Sequence, residues 1–194
     1  MKLRKMVICI VLILAFAYMY AHIDKTNLIH DKRIDNSEYI GLGMVQEEIR
    51  QQFVCQEDKL DALVVKCQVL GDTTDSVIQM TLKDCITGES VVSAKTDVNE
   101  MKSGNFIRIS FDAIKGCKGK TYQASFKTEG MVGLVVQPET MEETQLKIGD
   151  GEYEGTLIMK TVTKRFDVET FCVLLIIVSF IICFFRFLNR LFSR

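Results

Sequence analysis

The chain has 194 residues, 48% of them apolar and 25% charged, with a formal net charge of −1. All 25 acidic residues lie between Asp24 and Glu169 with 18 of the 24 basic ones, so this middle region is net −7 and the flanks are net +6. That size excludes a transporter with many spans, and the acidic middle excludes nucleic acid as a partner, because phosphate recognition needs clustered Lys and Arg.

Behind the basic leader MKLRK, residues 6–21 (MVICIVLILAFAYMYA) form an apolar and aromatic run of 16 residues. As a helix it covers about 24 Å, short of the roughly 30 Å hydrocarbon core unless His22 and Ile23 extend it. A cleaved signal peptide is indicated by the short run and by Ala15-Phe16-Ala17, an A-x-A cleavage pattern. An uncleaved signal anchor is indicated by apolarity beyond Ala17, with Tyr18 and Tyr20 where an interfacial belt belongs. Residues 1–23 are therefore assigned to one of these two.

Residues 24–48 are polar, with scattered Leu28, Ile29, Ile34, Tyr39 and Ile40 and with Gly41 and Gly43 near the end. They read as a juxtamembrane linker with one or two helical turns. From residue 49 to 166 the pattern has period two. Ile78, Met80 and Leu82 alternate with Gln79, Thr81 and Lys83. Ile107, Ile109 and Phe111 oppose Arg108 and Ser110, and Tyr122, Ala124 and Phe126 oppose Gln123, Ser125 and Lys127. Such alternation sets one strand face on a core and the other in water. Turn-rich clusters at 71–75, 87–89, 102–105 and 115–120 separate the runs. With 49–55, 60–70, 90–96, 132–137 and 155–163 added, about eight short strands result. The expected fold is mainly β, a jelly-roll-like antiparallel β-sandwich flanked by two transmembrane helices.

The second apolar segment runs from Thr170 to Leu188 with one charge, Arg186. At about 28 Å it is long enough to span, and residues 168–188 are assigned as a transmembrane helix. Residues 189–194 form a basic tail. Lys2, Arg4 and Lys5 precede the first segment, and Arg186, Arg190 and Arg194 end the second. By the positive-inside rule, these six orient a two-pass protein with both termini cytoplasmic and the centre outside, or a single-pass one if 1–17 is removed. A continued helix lines up the three arginines as a basic stripe, suited to anionic lipid or to a cytoplasmic partner. Cys172, Ile176, Ser179 and Cys183 share one face, and Ala17 and Ala21 are four apart, spacings that permit close helix packing.

Of seven cysteines, Cys55, Cys67, Cys85 and Cys117 belong to the outer domain. In an oxidising compartment they are candidate disulfide partners with three connectivities open, and the absence of CxxC argues against zinc. His22 and His30 both precede residue 49, so the strand region lacks the imidazole of a Ser-His or Cys-His pair. Glu47-Glu48, Asp72/Asp75, Glu142-Glu143 and Asp150/Glu152 read as solvated loop charge rather than catalytic pairs or calcium ligands. No catalytic residue, metal or cofactor is assigned.

Gln52-Phe53, Leu82-Lys83-Asp84, Thr87-Gly88, Asn105 to Phe111 and Gly119-Lys120-Thr121-Tyr122 resemble an extracytoplasmic β-sandwich module of bacterial cell-envelope and surface-polysaccharide membrane proteins. The resemblance runs from Gln52 to Ser125, about a third of the chain, and implies no enzymatic role, since the regions that carry activity in such proteins have no counterpart here. A eukaryotic cargo-receptor family also joins a sandwich to one C-terminal span and a short tail with paired phenylalanines, as at Phe184-Phe185, but its long coiled coil is missing. The expectation is a non-enzymatic accessory or interaction protein on the outer face of a bacterial plasma membrane. Its partners would be membrane lipid and an envelope protein; the alternative is a surface module that binds or senses a glycan or small molecule.

Overall fold

The computed structural model describes residues 2–98 and 104–192. They divide into two compact units, Lys25–Thr163 and a second made of Met1–Asp24 with Lys164–Arg194.

The described residues contain thirteen strands, β1 (His22–Leu28), β2 (Ile40–Gly41), β3 (Ile49–Val54), β4 (Lys59–Val69), β5 (Val77–Asp84), β6 (Ser90–Asp97), β7 (Phe106–Lys115), β8 (Thr121–Glu129), β9 (Val132–Gln137), β10 (Gln145–Ile148), β11 (Gly151–Tyr153), β12 (Thr156–Leu157) and β13 (Met159–Phe166). They form two sheets. The first runs β1-β13-β4-β9-β12, with β2 on β9 and β7 on β4; the second runs β11-β10-β3-β8-β5-β6. Every described register is antiparallel. The mainly β, antiparallel expectation therefore holds.

Alternation explains how the sheets meet. Ile49 and Phe53 of β3, Tyr122, Ala124 and Phe126 of β8, and Ile78, Met80 and Leu82 of β5 project to one side of the second sheet. They join Leu63, Val65 and Cys67 of β4, Ile109 of β7, Leu134 and Val136 of β9, and Met159 of β13 in one buried cluster. Phe53 and Tyr122 face each other across the β3–β8 ladder with ring centroids 6.3 Å apart. Gly133 has a positional role: a Cβ there would lie 2.3 Å from the Gly43 carbonyl, so its bare Cα lets the 41–43 segment lie along β9.

Several expectations change. The count of eight strands omits β1, β2, β10 and β11, and the last expected strand is split at Ile158 into β12 and β13. Residues 24–48 are more than a linker. They carry most of β1, a single 3-10 turn at Asn36–Glu38 capped by Asp35, and β2. Lys102 and Ser103 of one expected turn lie outside the described residues.

The two-span expectation is corrected. Helix α1 (Lys2–Tyr20) stops at Tyr20, and His22 and Ile23 enter β1 instead of lengthening it. Its first turn carries Lys2, Arg4 and Lys5, which leaves 15 uncharged residues, about 22 Å of helix. Among the described residues only α2 (Val168–Phe192) is long and apolar enough to cross a membrane, with mean hydropathy 2.9 over its best window. Its 25 residues span about 37 Å, and four of the expected tail residues are helical.

Within the unit that holds both helices, Ala17 and Ala21 are fully buried, so this small-residue pair does sit at a packed surface. On α2 the half-buried side is Phe171, Leu174, Leu175, Val178 and Ile182. All four residues of the expected small-residue face, Cys172, Ile176, Ser179 and Cys183, are exposed, and Ser179 and Cys183 border a crevice with Ile10, Ile13 and Leu14. Asp167 caps α2 by accepting from the Thr170 amide and hydroxyl.

Candidate functional site

The outward face of the second sheet is built by the strand pleat. Residues that alternate with the core set must point away from it, and cross-strand register lines them up. One row runs Gln145, Gln52, Gln123, Lys83 across β10, β3, β8 and β5. The next runs Lys147, Arg50, Ser125, Thr81. With Asp84, Cys85 and Gly88, six of these eight (all but Ser125 and Thr81) enclose a groove: Gln145, Gln52, Gln123, Lys83, Lys147 and Arg50 form its floor and walls, and its volume is about 340 Å³.

Charge in the groove is mixed. Arg50 donates from Nη2 to the Gly149 carbonyl at 2.5 Å and approaches Asp150 Oδ1 at 3.3 Å. Its Nε forms an ion pair with Glu48 Oε2 at 3.4 Å and, although buried, makes no hydrogen bond. Lys147 approaches Glu152 at 3.7 Å, and Gln145 Nε2 donates to the same carboxylate at 2.6 Å. Asp84 is occupied in its own turn, accepting from the Ile86 and Thr87 amides at 2.8 and 3.3 Å. The Ser125 hydroxyl is buried without a hydrogen-bond partner. Three carboxamides offer donors and acceptors in a line, beside two cations held by acids and Lys83, which has no ion pair among the described residues. This set suits a hydrophilic or acidic ligand held by hydrogen bonds. No aromatic ring lines it.

The sequence did not single out these residues. Arg50 and Gln52, Gln123 and Ser125 alternate visibly, but such alternation marks any solvent-facing strand. The row becomes a groove only through β10, which sequence reading missed.

The four outer-domain cysteines are all free thiols in this structure. Cys67 is fully buried in β4, opposite Leu134, and burial pushes its thiol up to about 12. Cys85 is exposed at the groove's rim. Cys55 and Cys117 are brought together. The β3–β8 ladder continues past Val54 as Cys55 N–H donating to the Lys120 carbonyl at 2.9 Å and Gly119 N–H donating to the Cys55 carbonyl at 2.8 Å. Lys120 N–H closes a turn on the Cys117 carbonyl at 3.0 Å, which folds Cys117 back over Cys55. The two side chains are neighbours, each acting on the other's thiol, and both are buried. Burial raises Cys55 to about 11 and raises Cys117 as well, the latter opposed by the Tyr122 hydroxyl and Lys120.

Of the orienting basic residues, Arg4 is exposed on α1 and Arg186 and Arg190 are exposed on α2; Arg194 lies outside the described residues. The acids considered above serve locally. Asp72 accepts from the Thr74 amide and hydroxyl at 3.0 and 2.7 Å, while Glu48, Asp150 and Glu152 meet the groove's cations. Among the described residues no three His, Cys, Asp or Glu side chains converge as metal ligands would.

No family model matches this chain, and no curated protein does. Solved structures that match include proteins of infectious bursal disease virus. The VP2 subviral particle is 7% identical over 74% of this chain and 38% of that one, with a TM-score of 0.26. The Gx strain structure is 13% identical over 72% of this chain and 30% of that one, with a TM-score of 0.24. The chain thus spans about a third of those proteins' length.

Proposed function

We propose that this chain is a non-enzymatic, membrane-anchored accessory or interaction protein that presents a jelly-roll-like β-sandwich on the outer face of a bacterial plasma membrane, in envelope polysaccharide assembly. The observation that carries this reading is the order of parts, a β domain with its own core followed directly by α2, the one described helix able to cross a membrane. Arg186 and Arg190 at the far end of α2 support an outward domain and an inward C-terminus. The reading needs α2 alone as the anchor, with α1 as the targeting segment. The polysaccharide context rests on the sequence resemblance, and the non-enzymatic role on the lack of histidine from residue 49 onward.

Alkaline carbonate extraction tests the anchor. The full chain should stay in the membrane pellet, and a chain lacking 168–192 should leave it; release of the full chain would refute the anchor. Crosslinking in cells followed by purification should recover an envelope or polysaccharide-assembly component, and recovery of cytoplasmic proteins alone would refute the accessory role.

A second reading, a surface module for a glycan or other hydrophilic small molecule, is favoured by the groove on β10, β3, β8 and β5. Substituting Gln52 and Gln123 by Ala together should abolish glycan-array binding while leaving the melting temperature within a few degrees; binding that survives the double change would exclude the groove.

A further inference from the structure

We infer that Cys55 and Cys117 form the single disulfide of the outer domain, pairing two of the four candidates and leaving Cys67 and Cys85 as thiols. The backbone fixes the geometry before any sulfur chemistry. Cys55 directly follows β3, Lys120 is its partner on the opposing chain, and the 117–120 turn carries Cys117 back over it. Gly116 and Gly119 have φ of +68° and +75°, conformations that let this turn close so sharply. Each sulfur also donates to a nearby carbonyl, Cys55 to Glu57 at 3.3 Å and Cys117 to Ile114 at 3.2 Å. Both therefore sit between the β3–β4 turn and the β7–β8 turn, at one end of the two sheets. A bond here ties the end of a strand of the second sheet to the turn through which the chain leaves the first.

The other two have no such neighbour. Cys67 is surrounded by core side chains, and only burial perturbs it. Cys85 is influenced by burial and by Asp84, with no second sulfur acting on it.

The chemistry is thiol–disulfide exchange with a disulfide oxidant, either an extracytoplasmic oxidoreductase or glutathione disulfide. One protein thiolate attacks the oxidant's S–S bond and releases one oxidant thiolate. The second protein thiolate then attacks the mixed disulfide and releases the other. Two protein S–H bonds become one S–S bond, the oxidant's S–S bond becomes two S–H groups, and the two protons pass to the leaving thiolates. Because both sulfurs are buried in the folded domain, exchange accompanies folding, before the turn closes over them. Formation in the cell rests on the outward placement proposed above.

The full chain, purified from membranes in detergent, is alkylated with N-ethylmaleimide without reduction and digested. The expected product is a Cys55–Cys117 linked peptide, about 2 Da below the summed reduced masses for the two hydrogens lost, with maleimide on Cys85. Reduction should lower the melting temperature by roughly 10 °C, as expected for a bridge closing a long loop. A C55S/C117S variant should melt at the reduced value with or without reductant, and C67A should keep the link. A peptide joining any other pair overturns the inference. So do two alkylated thiols at 55 and 117 that fail to link when the denatured, reduced chain is refolded with glutathione disulfide. If that refolding links them while protein from cells is unlinked, the pairing stands and the outward placement fails.

Discussion

His30 shows how a single buried side chain acquires a measurable role. It follows β1, is 8% exposed, and places Nδ1 3.1 Å from the Met159 carbonyl. Burial is the main influence and lowers its pKa below 6.5; Lys160 and Lys66 push the same way, whereas the Met159 hydrogen bond and Asp31 oppose them. In the unfolded chain the imidazole takes its proton near pH 6.5, and in the folded chain only at lower pH. Between those values the unfolded state binds more protons, so stability falls as pH is lowered through that window and is complete above it. The melting temperature should therefore decline from pH 7.5 to 5.5, and His30→Gln, which keeps a donor for Met159, should flatten that part of the profile. An unchanged slope in the variant assigns it to other groups.

At the scale of elements, the sheets are joined by polar as well as apolar contacts. Gln51 lies on the inward face of β3, wholly buried between Ile49 and Phe53. Its Oε1 accepts from the Leu157 amide of β12 at 2.8 Å, and its Nε2 donates to the Gln52 and Gln145 carbonyls at 3.0 and 3.3 Å. One amide thus connects the first sheet to β3 and β10 of the second. Gln51→Leu preserves most of the volume but strands the buried Leu157 N–H, a loss of about 1–3 kcal/mol. Urea unfolding should show that loss in the midpoint with an unchanged slope. A variant as stable as the parent would show that the amide contributes only bulk.

Gln51 also marks what the sequence reveals. Strands of eight residues or more with alternating side chains, β5 and β8 among them, are legible because one buried face repeats every second residue, and β9, buried on both faces, is legible as a short apolar run. β10 and β11 are not, since four and three residues beside acidic turns carry too few apolar positions to show a period. β1 is mostly polar, with Ile23 and Leu28 as its apolar residues, and its place is set by pairing with β13 rather than by its own pattern. The groove depends on β10 and so was hidden, and the cysteine connectivity stayed open because the 117–120 turn, not spacing in the chain, brings Cys117 to Cys55. The first apolar segment misled for a related reason. Its composition continues into His22 and Ile23, but strand pairing there ends the helix at Tyr20.

For the whole molecule, the near-zero charge is a sum over regions, with a net −7 between Asp24 and Glu169 and +6 beyond them. If the basic C-terminal end holds α2 with its tail inward, the acidic β domain must face outward, and one thiol can report it. Cys85 is the exposed cysteine of the unit Lys25–Thr163; Cys55, Cys67 and Cys117 are buried, and Cys172 and Cys183 lie within α2. A membrane-impermeant maleimide applied to intact spheroplasts should therefore label the chain at Cys85, and Cys85→Ser should remove that label without changing membrane retention. Replacing Arg186, Arg190 and Arg194 by Glu should reduce the labelled fraction, because the charge asymmetry that fixes orientation is then reversed. Labelling that appears only after the membrane is permeabilised would place the β domain inside, and with it the free state of Cys55 and Cys117 in the cell would follow from the reducing compartment.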